Sequence, residues 1–211
     1  MFITLEGPEG SGKTSAVKTV VKKLIEMGYD VVQTREPGGT PIAEQIRQEI
    51  LDVNNTKLDP RAEALLYAAS RRQHLVEKVW PALKEGKIVI CDHFLDSSLA
   101  YQGGARKLGI DNVLNINMFA TEGTFPDLTL LFDIDPELGL ERIATNTNRE
   151  INRLDLEKLE LHKLVRKTFL ELAKRWPERY IIIDASRSIE EVANATYEAI
   201  MDKLHASRGI S

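Results

Sequence analysis

Short runs of apolar, often β-branched residues alternate along the chain with longer stretches whose apolar positions recur every three or four residues. The short runs predict strands at residues 2–6, 30–35, 88–92, 128–134 and 180–184. Most lack a polar alternation, as expected of strands covered on both faces in a parallel sheet. The longer stretches predict helices at 13–27, 42–51, 61–84, 97–108, 111–122, 136–144, 156–175 and 189–205, with Gly28 ending the first. Strands alternating with helices imply right-handed crossovers. The fold class is therefore α/β: a doubly wound, parallel, five-stranded sheet flanked by helices, in which ligands bind beyond the carboxyl ends of the strands. Residues 145–153 break the pattern, being polar and weakly periodic. Composition alone fits an ordinary surface loop, but Arg149, Arg153 and the segment's place after the fourth strand suit a mobile lid.

The chain has 211 residues, a length that fits a single domain, 1–211, with 145–153 as its mobile part. Its hydrophobic content of 43% is ample for a core. A net charge of −4 provides no bulk basic field for nucleic acid or an anionic membrane, so local arginines must carry any phosphate affinity. The single cysteine, Cys91, ends an apolar strand and reads as a small core residue. Without an internal disulfide, a signal peptide or a bilayer-length apolar stretch, the expected location is the cytoplasm.

Chemistry enters at residues 7–14, Gly-Pro-Glu-Gly-Ser-Gly-Lys-Thr, which lie between the first strand and the first helix. This is a phosphate loop in its required context. Gly7, Gly10 and Gly12 let the backbone turn its N–H groups toward phosphate oxygens, with Pro8, Glu9 and Ser11 completing the loop. The following helix aims its positive end at the same anion. Lys13 can reach the β- and γ-phosphates, and the Thr14 hydroxyl can ligate Mg²⁺. The third strand ends in Asp92, which suits a carboxylate helping to hold that Mg²⁺. The loop thus implies a bound nucleoside triphosphate. The second strand ends in Arg35 and Glu36, Arg47 follows on the next helix, and Arg71 and Arg72 lie on the helix that also carries Tyr67. Tyr67 and Arg71 are four apart and share a helix face, whereas Arg72 reads as solvent-facing. The remaining histidines, His74, His162 and His205, fall on helical positions that read as exposed, and no function attaches to them.

Residues 7–14, 35–40, 67–71, 92–103 and Asn152-Arg153-Leu154-Asp155 together resemble the thymidylate kinases, in order and over nearly the whole chain. The run 96–103, Asp-Ser-Ser-Leu-Ala-Tyr-Gln-Gly, is the most specific part. The resemblance implies the phosphate-loop NTPase, nucleoside monophosphate kinase fold and the reaction of ATP and dTMP to ADP and dTDP, with Mg²⁺, in dTTP biosynthesis. It implies that Tyr67 stacks on thymine, Arg71 bonds its O4, and Gln102 meets another polar edge. Ser98 would line the base pocket, Arg47 would hold the dTMP phosphate, and Glu36 would lie near metal and acceptor. Arg142 matches a position that packs on the donor adenine. Glu9 and Arg149 fit the bacterial subgroup, which makes Arg149 the first choice for an arginine finger and Arg153 the second. The resemblance also implies a homodimer.

One residue departs from that pattern. The family's third strand ends in Asp-Arg and an aromatic, where this chain has Asp92-His93-Phe94. Histidine is shorter, has at most two donors and is largely neutral near pH 7. Either activity is weakened, or a nearby cation such as Arg47 or Arg106 covers the gap. Gly104 is a lesser departure, since an aromatic often follows Tyr-Gln-Gly. Two other readings use part of these motifs: a kinase of another nucleoside or nucleoside monophosphate, and a nucleotide-dependent switch weakened by His93.

Overall fold

A computed structural model of the chain describes residues 1–145, 153–207 and 209. Five strands, β1 (Phe2–Glu6), β2 (Val31–Arg35), β3 (Ile88–Asp92), β4 (Leu128–Asp133) and β5 (Tyr180–Asp184), form one sheet in the order β2-β3-β1-β4-β5. Every pairing is parallel. Strand side chains alternate between two cores. Ile3, Leu5, Ile88, Ile90, Leu130 and Phe132 face one, and Phe2, Val89, Cys91 and Leu131 face the other. In β1, β3 and β4 almost no side chain reaches water on either face, which is why those runs read as nearly continuously apolar, whereas the edge strands β2 and β5 carry exposed positions.

The helices are α1 (Lys13–Glu26), α2 (Pro41–Leu51), α3 (Pro60–His74), α4 (Trp80–Lys84), α5 (Leu95–Ser98), α6 (Ile110–Thr121), α7 (Pro136–Thr145), α8 (Leu159–Arg175) and α9 (Ile189–Ser207). Helices α1 and α9 cover the first core with Val17, Val20, Leu24, Ala193, Ile200 and Leu204. The second core is closed by Leu75, Val79, Leu95, Val113, Val165 and Phe169. Among the described residues, no helix is long and apolar enough to cross a membrane.

Two predicted helices are reshaped. The segment predicted as one helix over 61–84 runs through a widened turn, Leu75–Val79, between α3 and α4. Pro81 is the cause: its ring displaces the carbonyl one turn earlier and it has no N–H to donate, so the helix admits an extra residue there. The segment predicted over 97–108 begins earlier, as α5, and widens over Leu99–Ala105. Helix α8 packs closely on that widened turn. A Cβ added at Gly104 would lie 2.1 Å from Thr168 Oγ1, which is why glycine stands where an aromatic was expected. The predicted start at 156 is preceded by a 3-10 turn, Arg153–Leu156, and α8 begins at Leu159.

Candidate active site

The parallel register levels the carboxyl ends of the strands: Leu5 and Arg35 both pair with Asp92. Above them lies one cleft of about 1310 Å³, lined by the phosphate loop, the loop after β2, α3, α5 and the segment before α9. Most of the predicted site residues meet in it: Glu9, Gly10, Ser11, Gly12, Lys13, Thr14, Glu36, Arg47, Tyr67, Arg71, Asp92, His93, Ser98, Gln102 and Arg142.

Close backbone contact shapes the loop. A Cβ on Gly10 would lie 2.0 Å from the Gly139 carbonyl oxygen, and one on Gly139 would lie 2.5 Å from that of Glu9. Gly10 and Gly12 have φ of 74° and 76°, a region glycine enters without strain. The Lys13 ammonium donates to the Gly7 carbonyl at 3.0 Å, to the Pro8 carbonyl at 3.2 Å and to Ser11 Oγ at 3.0 Å. Thr14 Oγ1 donates to Asp92 Oδ2 at 3.2 Å. Asp92 Oδ1 is buried and has no hydrogen-bond partner among the described residues. A hydroxyl beside a carboxylate whose second oxygen accepts no hydrogen bond, with His93 Nε2 at 3.8 Å, is an all-oxygen donor set that suits Mg²⁺.

Beyond the loop lies a second, more enclosed compartment. Arg71 is 1% exposed. Its Nε donates to Glu36 at 2.7 Å, its Nη1 to Ser98 at 3.1 Å and to Asn117, and its Nη2 to the Phe94 carbonyl at 2.9 Å. These bonds use four of the five guanidinium donors. Tyr67 and Gln102 are also buried, and burial, then the charge of Glu63, pushes the Tyr67 phenol well above its ordinary range. Arg47 donates to the Pro37 carbonyl at 3.2 Å, in the loop that also carries Glu36. At the opposite end Arg142 donates to the carbonyls of Ala185 at 2.8 Å and Ser186 at 3.1 Å, beside Arg187 and Ile189.

His93 sits between the two compartments with φ of 63°, a left-handed conformation unusual for a residue with a Cβ. Its Nδ1 is 2.7 Å from Ser97 Oγ and 3.6 Å from Glu6 Oε2. Burial and the Lys13 charge pull its pKa down, but the Glu6 hydrogen bond and the charges of Asp92 and Glu6 outweigh them and leave it raised. The ring thus favours its protonated form more than a free histidine does. Of the cations expected to compensate for it, Arg47 lines the cleft, whereas Arg106 pairs with Glu63 at 3.5 Å and Glu157 at 2.5 Å. Arg153 donates to the Ile50 carbonyl at 3.1 Å and to Glu63, so its guanidinium is committed at the base end of the cleft. Arg149 lies outside the described residues.

Several residues that support the site were not singled out from the sequence. His74 and His162 were read as exposed, yet both are buried, at 0% and 1%. His74 lies three residues past Arg71 on the inner face of α3, where Thr34 Oγ1 at 2.7 Å and Glu36 Oε1 at 2.9 Å satisfy both ring nitrogens. His162 shares the apolar face of α8 with Val165 and Phe169. Glu6, wholly buried, accepts from the Phe94 N–H at 2.8 Å and holds the start of α5. A bidentate pair, Arg179 to Asp96 at 2.7 Å on both arms, anchors the same helix to the sheet. Glu63, four residues before Tyr67, was the most accessible of these to sequence reasoning.

The parallel sheet in this strand order, a phosphate loop after its central strand and an adjoining enclosed pocket define a phosphate-loop kinase of the nucleoside monophosphate kinase fold. The family model described as Thymidylate kinase matches residues 5–196. A thymidylate kinase of Geobacillus sp. (strain WCH70) is 57% identical over 203 residues, which cover 96% of this chain and 97% of that protein. One of Clostridium novyi (strain NT) is 58% identical over 191 residues, covering 90% and 93% respectively. Among solved structures, the thymidylate kinase of Ehrlichia chaffeensis superposes with a TM-score of 0.77 at 32% identity, over 95% of this chain and 98% of that one. The chain belongs to the thymidylate kinase family.

Proposed function

We propose that the chain transfers the γ-phosphoryl group of ATP to dTMP, yielding ADP and dTDP, as a step toward dTTP. The observation that carries this reading is a single cleft joining the phosphate loop to the pocket of Tyr67, Arg71, Ser98 and Gln102. Family membership supports it independently. ATP lies with its phosphates on the loop amides of residues 7–12 and its adenine against Arg142. Lys13 exchanges its loop contacts for the β- and γ-phosphate oxygens. Thr14 and Asp92 are the residues that hold Mg²⁺, which neutralises phosphate charge when bound. In the second compartment Tyr67 stacks on thymine, the remaining Arg71 Nη2 proton meets O4, and Arg47 holds the monophosphate. Little covalent work falls to the protein, because alignment and charge neutralisation carry most of the catalysis.

Arg149, the first choice from sequence, acts as the arginine finger from the 145–153 lid; Arg153, the second choice, has its guanidinium engaged by the Ile50 carbonyl and Glu63. The whole chain works as one domain, in the cytoplasm, as a homodimer. The exposed Leu65 and Phe119 on the adjoining helices α3 and α6 support a second copy there. A coupled assay with ATP and Mg²⁺ tests the function against dTMP, dUMP, dCMP and AMP. Strong preference for dTMP is expected, and selective use of dCMP or AMP would overturn the reading.

A further inference from the structure

Helix α3 presents Glu63, Tyr67 and Arg71 on one face at intervals of four. The Glu63 side chain is 1% exposed and lies behind Gln102, which lines the cleft. Its Oε1 accepts from Gln102 Nε2 at 2.8 Å and from Arg106 Nε at 3.5 Å, and its Oε2 accepts from Arg153 Nη2. Two guanidinium groups therefore flank the carboxylate on which Gln102 rests.

An amide has a donating end and an accepting end of nearly the same shape, and its surroundings decide which way it points. A carboxylate can only accept. Glu63 therefore takes the NH₂ end of Gln102, and the carbonyl Oε1 remains as the edge for the cleft that Gln102 lines. Arg71, held by Glu36, Ser98, Asn117 and the Phe94 carbonyl, can only donate. The compartment thus offers one fixed acceptor and one fixed donor.

We propose that Glu63 is the positioning residue that sets base selectivity. By holding the Gln102 amide in one orientation, it makes the pocket accept a base with a ring N–H beside a carbonyl oxygen, as in thymine and uracil. Cytosine carries the reverse pattern, a ring nitrogen acceptor beside an amino group, so it meets acceptor against acceptor and donor against donor. Buried polar groups left facing their own kind are the strongest source of discrimination between close analogues. The inference rests on the dTMP reading above.

The test is Glu63→Gln, which keeps the shape of the side chain but lets it donate or accept, so that Gln102 can turn over. kcat/KM is measured with ATP for dTMP, dUMP and dCMP. The dTMP:dCMP ratio is expected to fall at least about tenfold, while the dTMP:dUMP ratio, which reports only the 5-methyl group, stays within about twofold. A parallel loss on all three substrates, or an unchanged dTMP:dCMP ratio, overturns the proposal by making Glu63 merely structural. Glu63→Asp guards against misfolding, because it keeps a charge for Arg106 and Arg153 while withdrawing one methylene from Gln102. It should shift the ratio the same way, and an unshifted ratio in that variant also overturns the proposal. Failure of the underlying reading looks different: the unaltered chain would then not prefer dTMP at all.

Discussion

His93 occupies the point where donor and acceptor phosphates would meet. Arginine, like histidine, is unbranched at Cβ, so His93→Arg changes the side chain while altering the left-handed backbone cost little. A planar, permanently charged fork should grip the transferring group better, and kcat for dTMP is expected to rise about tenfold, about 1.4 kcal/mol. Steady-state kinetics checks this, and an unchanged kcat would show that His93, held by Ser97 and Glu6, is no weaker a clamp. Arg71→Met tests the other compartment. It leaves Glu36 buried without its guanidinium and should cost about 3–5 kcal/mol in urea unfolding, a loss visible without any substrate. Residues whose chemistry is written in local spacing, such as Lys13, Thr14 and the Tyr67–Arg71 pair, could be found from sequence. His74, Asn117 and Arg179 could not. Each is a polar residue whose partner lies 38, 46 or 83 positions away, and until that partner is known such a residue looks like part of a solvent-facing surface.

The loop after β2 and the phosphate loop are both fixed by contacts from a neighbouring helix. Glu44 of α2 accepts from the Gly39 N–H at 2.7 Å and pairs with Arg35. Burial alone would raise its pKa, but the Gly39 and Arg35 hydrogen bonds and the charges of Arg35 and Arg47 leave it lowered. A lowered carboxylate stabilises the fold fully above its unfolded pKa, and the contribution fades as pH falls through the native value. The stability gap between the unaltered chain and Glu44→Gln should therefore be widest near neutrality and close in acid. Because both Arg35 and Glu44 are more than a third exposed, the gap should stay below about 1 kcal/mol, measured as urea midpoints across pH. Gly139→Ala probes the other contact. Its Cβ would press on the Glu9 carbonyl and lift the phosphate loop from α7, so KM for ATP should rise several-fold while calorimetric dTMP affinity holds. Strands and helices were readable because their apolar periods are unambiguous. The widened turns were not, since Pro81 gave a local reason to bend but the fit of Thr168 against Gly104 involves residues far apart in sequence.

Both cores are built on opposite faces of the same five strands, so neither can melt while the other persists. Tryptophan fluorescence and far-ultraviolet dichroism should report one coincident transition. Cys91 gives a chemical check: its side chain is wholly buried, and burial, reinforced by Glu36 and Asp92, raises its thiol pKa. A thiol reagent should modify it only at the rate of global opening, and fast labelling of the folded protein would contradict a single cooperative unit. The strand order carries a further consequence for synthesis. The central strand, β1, has both of its hydrogen-bonding neighbours, β3 and β4, far downstream. A nascent chain leaving the ribosome therefore exposes a largely apolar segment that is unpaired until Asp92 and only half paired until Asp133 has been made, and its productive yield should depend on whatever shields that segment during translation.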